Sequence, residues 1–236
     1  MFPVEKFNNT RTPFYYYDLT LLRRTLKDLR EAESINSAFK VHYAIKANAN
    51  PIVLEEIRNA GLGVDAVSGG EISRALECGF RPGDIVFAGV GKSDGEIELG
   101  LENGIECFNV ESVPELEVIS ELAVKRGKVA RIAVRVNPNI DAHTHHYITT
   151  GLNENKFGIP REMLMDVVKK ALELPGLEFV GLHFHIGSQL TDLEPYRMLC
   201  VAVNELQDEF ETAGIEIRNI NVGGGARNRL SGSRRA

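Results

Sequence analysis

The sequence predicts an α/β fold, a (β/α)8 barrel of the TIM type, on three observations. Short apolar segments alternate with amphipathic ones along most of the chain. The first four apolar segments lie near residues 42, 64, 85 and 106, a recurrence of roughly 21 residues that holds one strand, one helix and two short loops. None of them leads into the G-x-G-x-x-G turn of a doubly wound, dinucleotide-binding sheet, which favours closure into a barrel.

The elements follow in order. Residues 1–18 include "TPFYYYD", read as an extended aromatic piece that lies outside the barrel, before a helix from about Leu19 to Ala32. "VHYAIKAN" reads as the first strand and "PIVLEEIRNAG" as its helix, with Ile52, Leu54 and Ile57 on one face. "GVDAVS" leads into "GGEISRALECG", and "DIVFAGV" into "SDGEIELGLENG", where Ser93 or Asp94 is the expected cap. "ECFNVES" leads into "VPELEVISELAVKRG". "VARIAVRVNP" opens a long loop before the helix "PREMLMDVVKKALEL". "FVGLHFHIGS" precedes a helix from about Glu194 to Ala213, and "IRNINVGGG" is the seventh strand. Residues 226–236, "ARNRLSGSRRA", carry four arginines and no acid where an eighth unit is expected. The barrel is therefore expected to break off after its seventh strand. The expected organisation is an N-terminal extended segment (1–18), an incomplete barrel domain (19–225) and an atypical arginine-rich tail (226–236).

Composition narrows the function. A formal charge of −6 argues against nucleic acid or an anionic membrane as the main partner. No apolar run reaches membrane-spanning length, and "MFPVEKFNNT" lacks the pattern of a signal peptide. Cys78, Cys107 and Cys200 are isolated and read as buried thiols of a cytoplasmic protein. His143, His145 and His146 in "DAHTHH" lack the spacing of a metal site, so no metal is expected.

Side chains alternate faces along a strand, and one parity is polar on six of the seven strands. That parity holds His42, Ala44, Lys46 and Asn48; Gly63, Asp65 and Val67; Cys107, Asn109 and Glu111; Ala133, Arg135 and Asn137; His183, His185 and Gly187; and Asn219, Asn221 and Gly223. The opposite parity is almost wholly apolar. A polar inward set concentrated at the C-terminal strand ends is the pattern of a barrel enzyme's mouth. Lys46, Asp65, Arg135, His185 and Gly223 are expected to converge there.

Lys46 sits among apolar residues and is expected to be buried, at a cost that needs a reason. A desolvated amine is a nucleophile towards carbonyls, so Lys46 reads as a Schiff-base lysine. Its carbonyl belongs either to a sugar substrate or to pyridoxal phosphate. "NVGGG" favours the second, because Gly223, Gly224 and Gly225 expose backbone N–H groups that can cradle a phosphate. His185 adds a flat imidazole and Ser188 a hydroxyl donor on the neighbouring strand end.

The segments "YAIKANANP", "GVDAVSGGE", "FAGVGKSDGEI", "FNVES", "RVNPNIDAHTHHYITTGLNENKFGIP", "GLHFHIGSQ" and "NVGGG" strongly resemble the bacterial diaminopimelate decarboxylases. These belong to the alanine-racemase-like, fold-type III enzymes that use pyridoxal 5'-phosphate. The resemblance runs in order from about Pro13 to Gly225. It implies a barrel with a separate β domain to which the N-terminal segment would contribute a strand. It implies that Lys46 carries the cofactor, that His185 stacks on its ring, and that Ser188 and the amides of Gly223, Gly224 and Gly225 hold its phosphate. Asp65, Glu71 and Arg135 would be polar groups around ring and lysine. The implied reaction is loss of carbon dioxide from meso-diaminopimelate to give L-lysine, in a homodimer for the full-length enzyme. The alternatives are another decarboxylase of this fold, acting on ornithine, arginine or carboxynorspermidine, or a non-catalytic protein that binds pyridoxal phosphate.

The resemblance stops at Gly225. The family's Glu-Pro-Gly-Arg, Cys-Glu-Ser and C-terminal tyrosine segments have no counterpart in this sequence, and Arg227 and Arg229 stand outside any matching context. The chain is accordingly expected to be an incomplete fragment without activity of its own.

Overall fold

Strand, turn, cap and helix recur as a unit from β1 to α6, and polar caps mark where α3, α4, α5 and α6 begin. The computed structural model describes residues 4–138, 157–188 and 190–225. The strands are β1 (His42–Ala44), β2 (Gly63–Ala66), β3 (Ile85–Phe87), β4 (Cys107–Val110), β5 (Ala130–Asn137), β6 (Ile159–Pro160), β7 (Leu177–Phe184) and β8 (Asn219–Asn221). The helices are α1 (Val4–Phe7), α2 (Leu19–Glu33), α3 (Pro51–Asn59), α4 (Gly69–Glu77), α5 (Asp94–Asn103), α6 (Val113–Arg126), α7 (Leu164–Glu173) and α8 (Glu194–Thr212). Asn50 caps α3, Ser68 caps α4 and Ser112 caps α6, each accepting from a backbone N–H of the first turn. Ser93, not Asp94, caps α5, in a capping box with Glu96.

The sheet runs β1-β2-β3-β4-β5-β7-β8, every pairing parallel, and the short β6 adds to the C-terminal end of β5. This is an open barrel of seven principal strands, and among the described residues β1 and β8 are its two edges.

Register sorts the side chains. Paired residues in a parallel ladder share a face. Ala44 lies opposite Asp65, Asp65 opposite Val86, Val86 opposite Cys107, Asn109 opposite Ala133, and Arg135 opposite His183. His183 in turn lies opposite Asn221. These residues line the inside. Val64, Ile85, Phe87, Phe108, Val134, Leu182 and Phe184 take the other face and pack in one core with Leu54, Ile72, Ile97, Leu116, Val168 and Leu199 of the helices. Val86, Cys107, Ala133 and Val180 form a small buried apolar plug inside. Polar residues sit on either side of it, so the parity read from sequence describes the barrel.

Three expectations need correction. The first strand ends at Ala44, and Ile45–Ala47 form a 3-10 turn. Of the three cysteines only Cys107 is buried, its thiol pushed up to about 12 chiefly by that burial, while Cys200 is exposed on α8. The N-terminal segment is not extended throughout, because Val4–Phe7 form a helical turn whose Phe7 packs against Phe14 and Tyr16. The "DAHTHH" histidines and the tail 226–236 lie outside the described residues.

Candidate active site

The C-terminal ends of the strands bring the polar set together around one mouth. Lys46 stands there on its 3-10 turn, exposed rather than buried. The reason is local: β1 ends at Ala44, four residues before the end of the expected strand, so the lysine leaves the lumen for its rim. Ile45 takes the buried position instead, with no exposed surface.

Asp65 lies below Lys46 at the end of β2. Its Oδ1 is buried and accepts no hydrogen bond from any described residue. Burial pushes its carboxyl above the usual carboxylate range. The cations of Lys46, His42 and Arg135 pull the other way, and Glu71 adds to the rise. Glu71 itself accepts from the Val67 N–H at 2.8 Å, which ties the β2-α4 turn to its helix.

Arg135 on β5 is held by Glu111, its Nη1 donating to Oε2 at 2.6 Å. Both side chains are nearly enclosed, 12% and 2% exposed. The Phe157 ring lies 5.6 Å from the guanidinium carbon. Two residues apart on β7 and the turn after it, His183 and His185 face the same lumen. His183 is buried, its Nδ1 has no described partner, and burial, then Arg135 and His185, hold its imidazole down at about 3. His185 is exposed as a residue. Partial enclosure of its ring, then the cations of Arg135 and Lys46, lower its pKa.

The glycine run lies against this histidine turn. Gly223 has φ +71°, and a Cβ there would come within 2.4 Å of the Phe184 carbonyl oxygen and 3.3 Å of the His185 Cα. Gly225 has φ +110°, and its Cβ would meet the Gly187 carbonyl oxygen at 2.1 Å. Both positions demand glycine for the conformation and for the approach. The Gly223 N–H is already committed to Asn221 Oδ1 at 2.8 Å. The N–H groups of Gly224 and Gly225 have no acceptor among the described residues. Ser188 is exposed beside them.

The arrangement fits pyridoxal phosphate. It offers an accessible amine, a flat imidazole, two uncommitted backbone donors in a side-chain-free cradle, and a buried carboxylate oxygen without a partner. The starts of α3, α4, α5 and α6 also lie at this end, each directing positive dipole density towards it.

Sequence reasoning missed the deepest charges. Lys92 has an enclosed side chain, 1% exposed. Its Nζ donates to the carbonyls of Gly89 and Asn109, each at 2.8 Å, and to Glu115 Oε1 at 2.6 Å. The lysine is in a loop and its partner is on another unit's helix, 23 residues on. No local pattern could have joined them.

Comparisons with known proteins give the family. Residues 20–233 match the family described as "Pyridoxal-dependent decarboxylase, pyridoxal binding domain". The diaminopimelate decarboxylase of Bacteroides thetaiotaomicron is 56% identical over 225 residues, which are 95% of this chain and 58% of that protein. That of Helicobacter pylori strain J99 is 44% identical over 221 residues, 94% of this chain and 54% of that protein. The crystal structure of diaminopimelate decarboxylase from Helicobacter pylori complexed with L-lysine superposes with a TM-score of 0.86 at 42% identity, covering 98% of this chain and 58% of that one. The M. jannaschii enzyme in co-complex with L-lysine gives 0.78 at 40% identity, covering 87% and 48%. The chain thus spans about half the length of the curated relatives it matches. It belongs to the pyridoxal-dependent decarboxylases and carries their pyridoxal-binding barrel.

Proposed function

We propose that this chain is the cofactor-binding part of a diaminopimelate decarboxylase, which removes carbon dioxide from meso-2,6-diaminopimelate to leave L-lysine. The 56% identity to the Bacteroides thetaiotaomicron enzyme across 95% of the chain is the observation that carries it. The reading brings with it a small amino-acid substrate, a cytoplasmic setting and a homodimer of the longer protein.

Lys46 is the residue that holds the cofactor covalently, and its exposure at the rim leaves it accessible to an aldehyde. The amides of Gly224 and Gly225, with the Ser188 hydroxyl, receive the phosphate. Gly223 shapes the cradle through its backbone, since its own N–H is taken by Asn221. His185 presents an imidazole face to the ring, and the cations beside it favour the neutral form. Asp65 supplies a carboxylate opposite Lys46, and its raised pKa suits it to hold a proton at Oδ1. Arg135, pinned by Glu111, places a fixed positive charge at the same mouth. Bound pyridoxal phosphate supplies the electron sink for the charge left when the carboxyl group departs.

The 236 residues alone are proposed not to turn over. Two observations support this: the chain spans 58% of its relative's length, and β1 and β8 are open edges among the described residues. The test is carbon dioxide release by the chain and by a full-length version, each offered diaminopimelate, ornithine and arginine. The reading expects a full-length preference for diaminopimelate and no release by the chain above free cofactor. A preference for ornithine or arginine ends the substrate assignment, and turnover by the chain ends the fragment assignment.

A further inference from the structure

Behind the mouth runs a chain of four enclosed charges, of which Lys92 and Glu115 have no part in the proposed chemistry. Lys92 binds Glu115 Oε1 at 2.6 Å, and Glu115 Oε2 accepts from the Glu111 backbone N–H at 2.9 Å. The Glu111 side chain then spans two groups, accepting from the Gly89 N–H at 3.0 Å and from Arg135 at 2.6 Å. The four side chains are 1%, 9%, 2% and 12% exposed. Burying two cations and two anions is costly, and shape-matched apolar residues usually serve stability as well. The series begins in the loop after β3 and ends at Arg135.

We infer that Lys92 and Glu115 are positioning residues for the site: their buried pair fixes Glu111, and Glu111 in turn holds Arg135 at the mouth, where its charge faces His185 and Asp65. Arg135 carries a long side chain, and without the Glu111 carboxylate the cation has no other anchor at 2.6 Å among the described residues. Glu111 has its own backbone N–H clamped by Glu115, so its direction depends on that carboxylate, which Lys92, itself held by the Gly89 and Asn109 carbonyls, binds at 2.6 Å. The charged and titratable groups facing His185 are Arg135 from β5, Lys46 from the turn after β1, Glu111 from the end of β4 and His183 from its own strand. A displaced Arg135 is felt there directly. The inference deepens the cofactor-site reading and rests on it only for its consequence.

The test titrates the His185 ring by NMR in the full chain without cofactor. Arg135→Met gives the reference, expected to raise the His185 midpoint by about half a pH unit or more through loss of a nearby cation. Glu115→Gln, which touches neither His185 nor Arg135, is expected to raise it part of the way. In the double variant E115Q/R135M the midpoint should match that of R135M alone. If E115Q is too unstable to titrate, K92M/E115L removes both charges with apolar groups of similar size and takes its place, with the same expectation. An unmoved midpoint in the brace variant, or additive shifts in the double variant, overturns the inference. Because no cofactor is present, that result leaves the reading of Lys46 untouched, and a failure of Lys46 to take cofactor leaves this result untouched.

Discussion

A Cβ on Gly225 would lie 2.1 Å from the carbonyl oxygen of Gly187. The glycine run therefore rests on the turn that carries His185 and Ser188, and the two halves of the cradle are fitted backbone to backbone. The Leu190 N–H closes the junction by donating to the Gly225 carbonyl at 2.8 Å.

Two glycines one residue apart should respond differently. Gly225→Ala adds a clash and strains a φ of +110°, and should weaken cofactor binding about 10-fold or more. Gly224→Ala adds a methyl group with nothing within 4 Å and should leave affinity within about 3-fold. Equilibrium dialysis with pyridoxal phosphate measures both. Equal losses would mean that the cradle does not depend on this close approach.

The two conspicuous lysines should separate by stability. Lys92→Met leaves Glu115 buried without its cation, a loss of about 3–5 kcal/mol. Lys46→Met removes an exposed side chain and should change stability by no more than about 0.5 kcal/mol. Urea unfolding of the cofactor-free chain compares them. A Lys46 variant as damaged as the Lys92 variant would place Lys46 in the core after all.

His183 should set an acid limit. Its folded pKa is held at about 3, against an ordinary value of 6.5, so between these values the unfolded chain binds a proton that the folded chain refuses. The sign follows: the histidine's contribution is fully present above pH 6.5 and is lost as pH falls towards 3, by at most about 1.4 kcal/mol per pH unit. His183→Gln, with no proton to gain, should show a shallower fall in unfolding free energy across that window. Identical slopes would mean that His183 reaches solvent.

Much of this was legible in the sequence because its signals are local. The period of the βα units, the caps and the polar parity each depend on neighbours along the chain, and they describe the sheet order and the shared mouth of Asp65, Arg135 and His185. What was not legible depends on contacts between units. Lys46 looked buried because its strand seemed to continue, whereas the chain turns at Ile45. Lys92 lies in a loop that no motif marks, and three acceptors from two other segments and its own turn enclose it. The commitment of the Gly223 amide to Asn221 is likewise a matter of side-chain rotamer, which no motif encodes.

The central claim is that Lys46, standing at the rim, is the residue that carries pyridoxal phosphate. Borohydride reduction of the cofactor-loaded chain, followed by peptide mapping, tests it most directly. The account predicts a pyridoxyl group on Lys46 and on no other lysine. A pyridoxyl group on Lys92 or Lys156, with Lys46 unmodified, would contradict it.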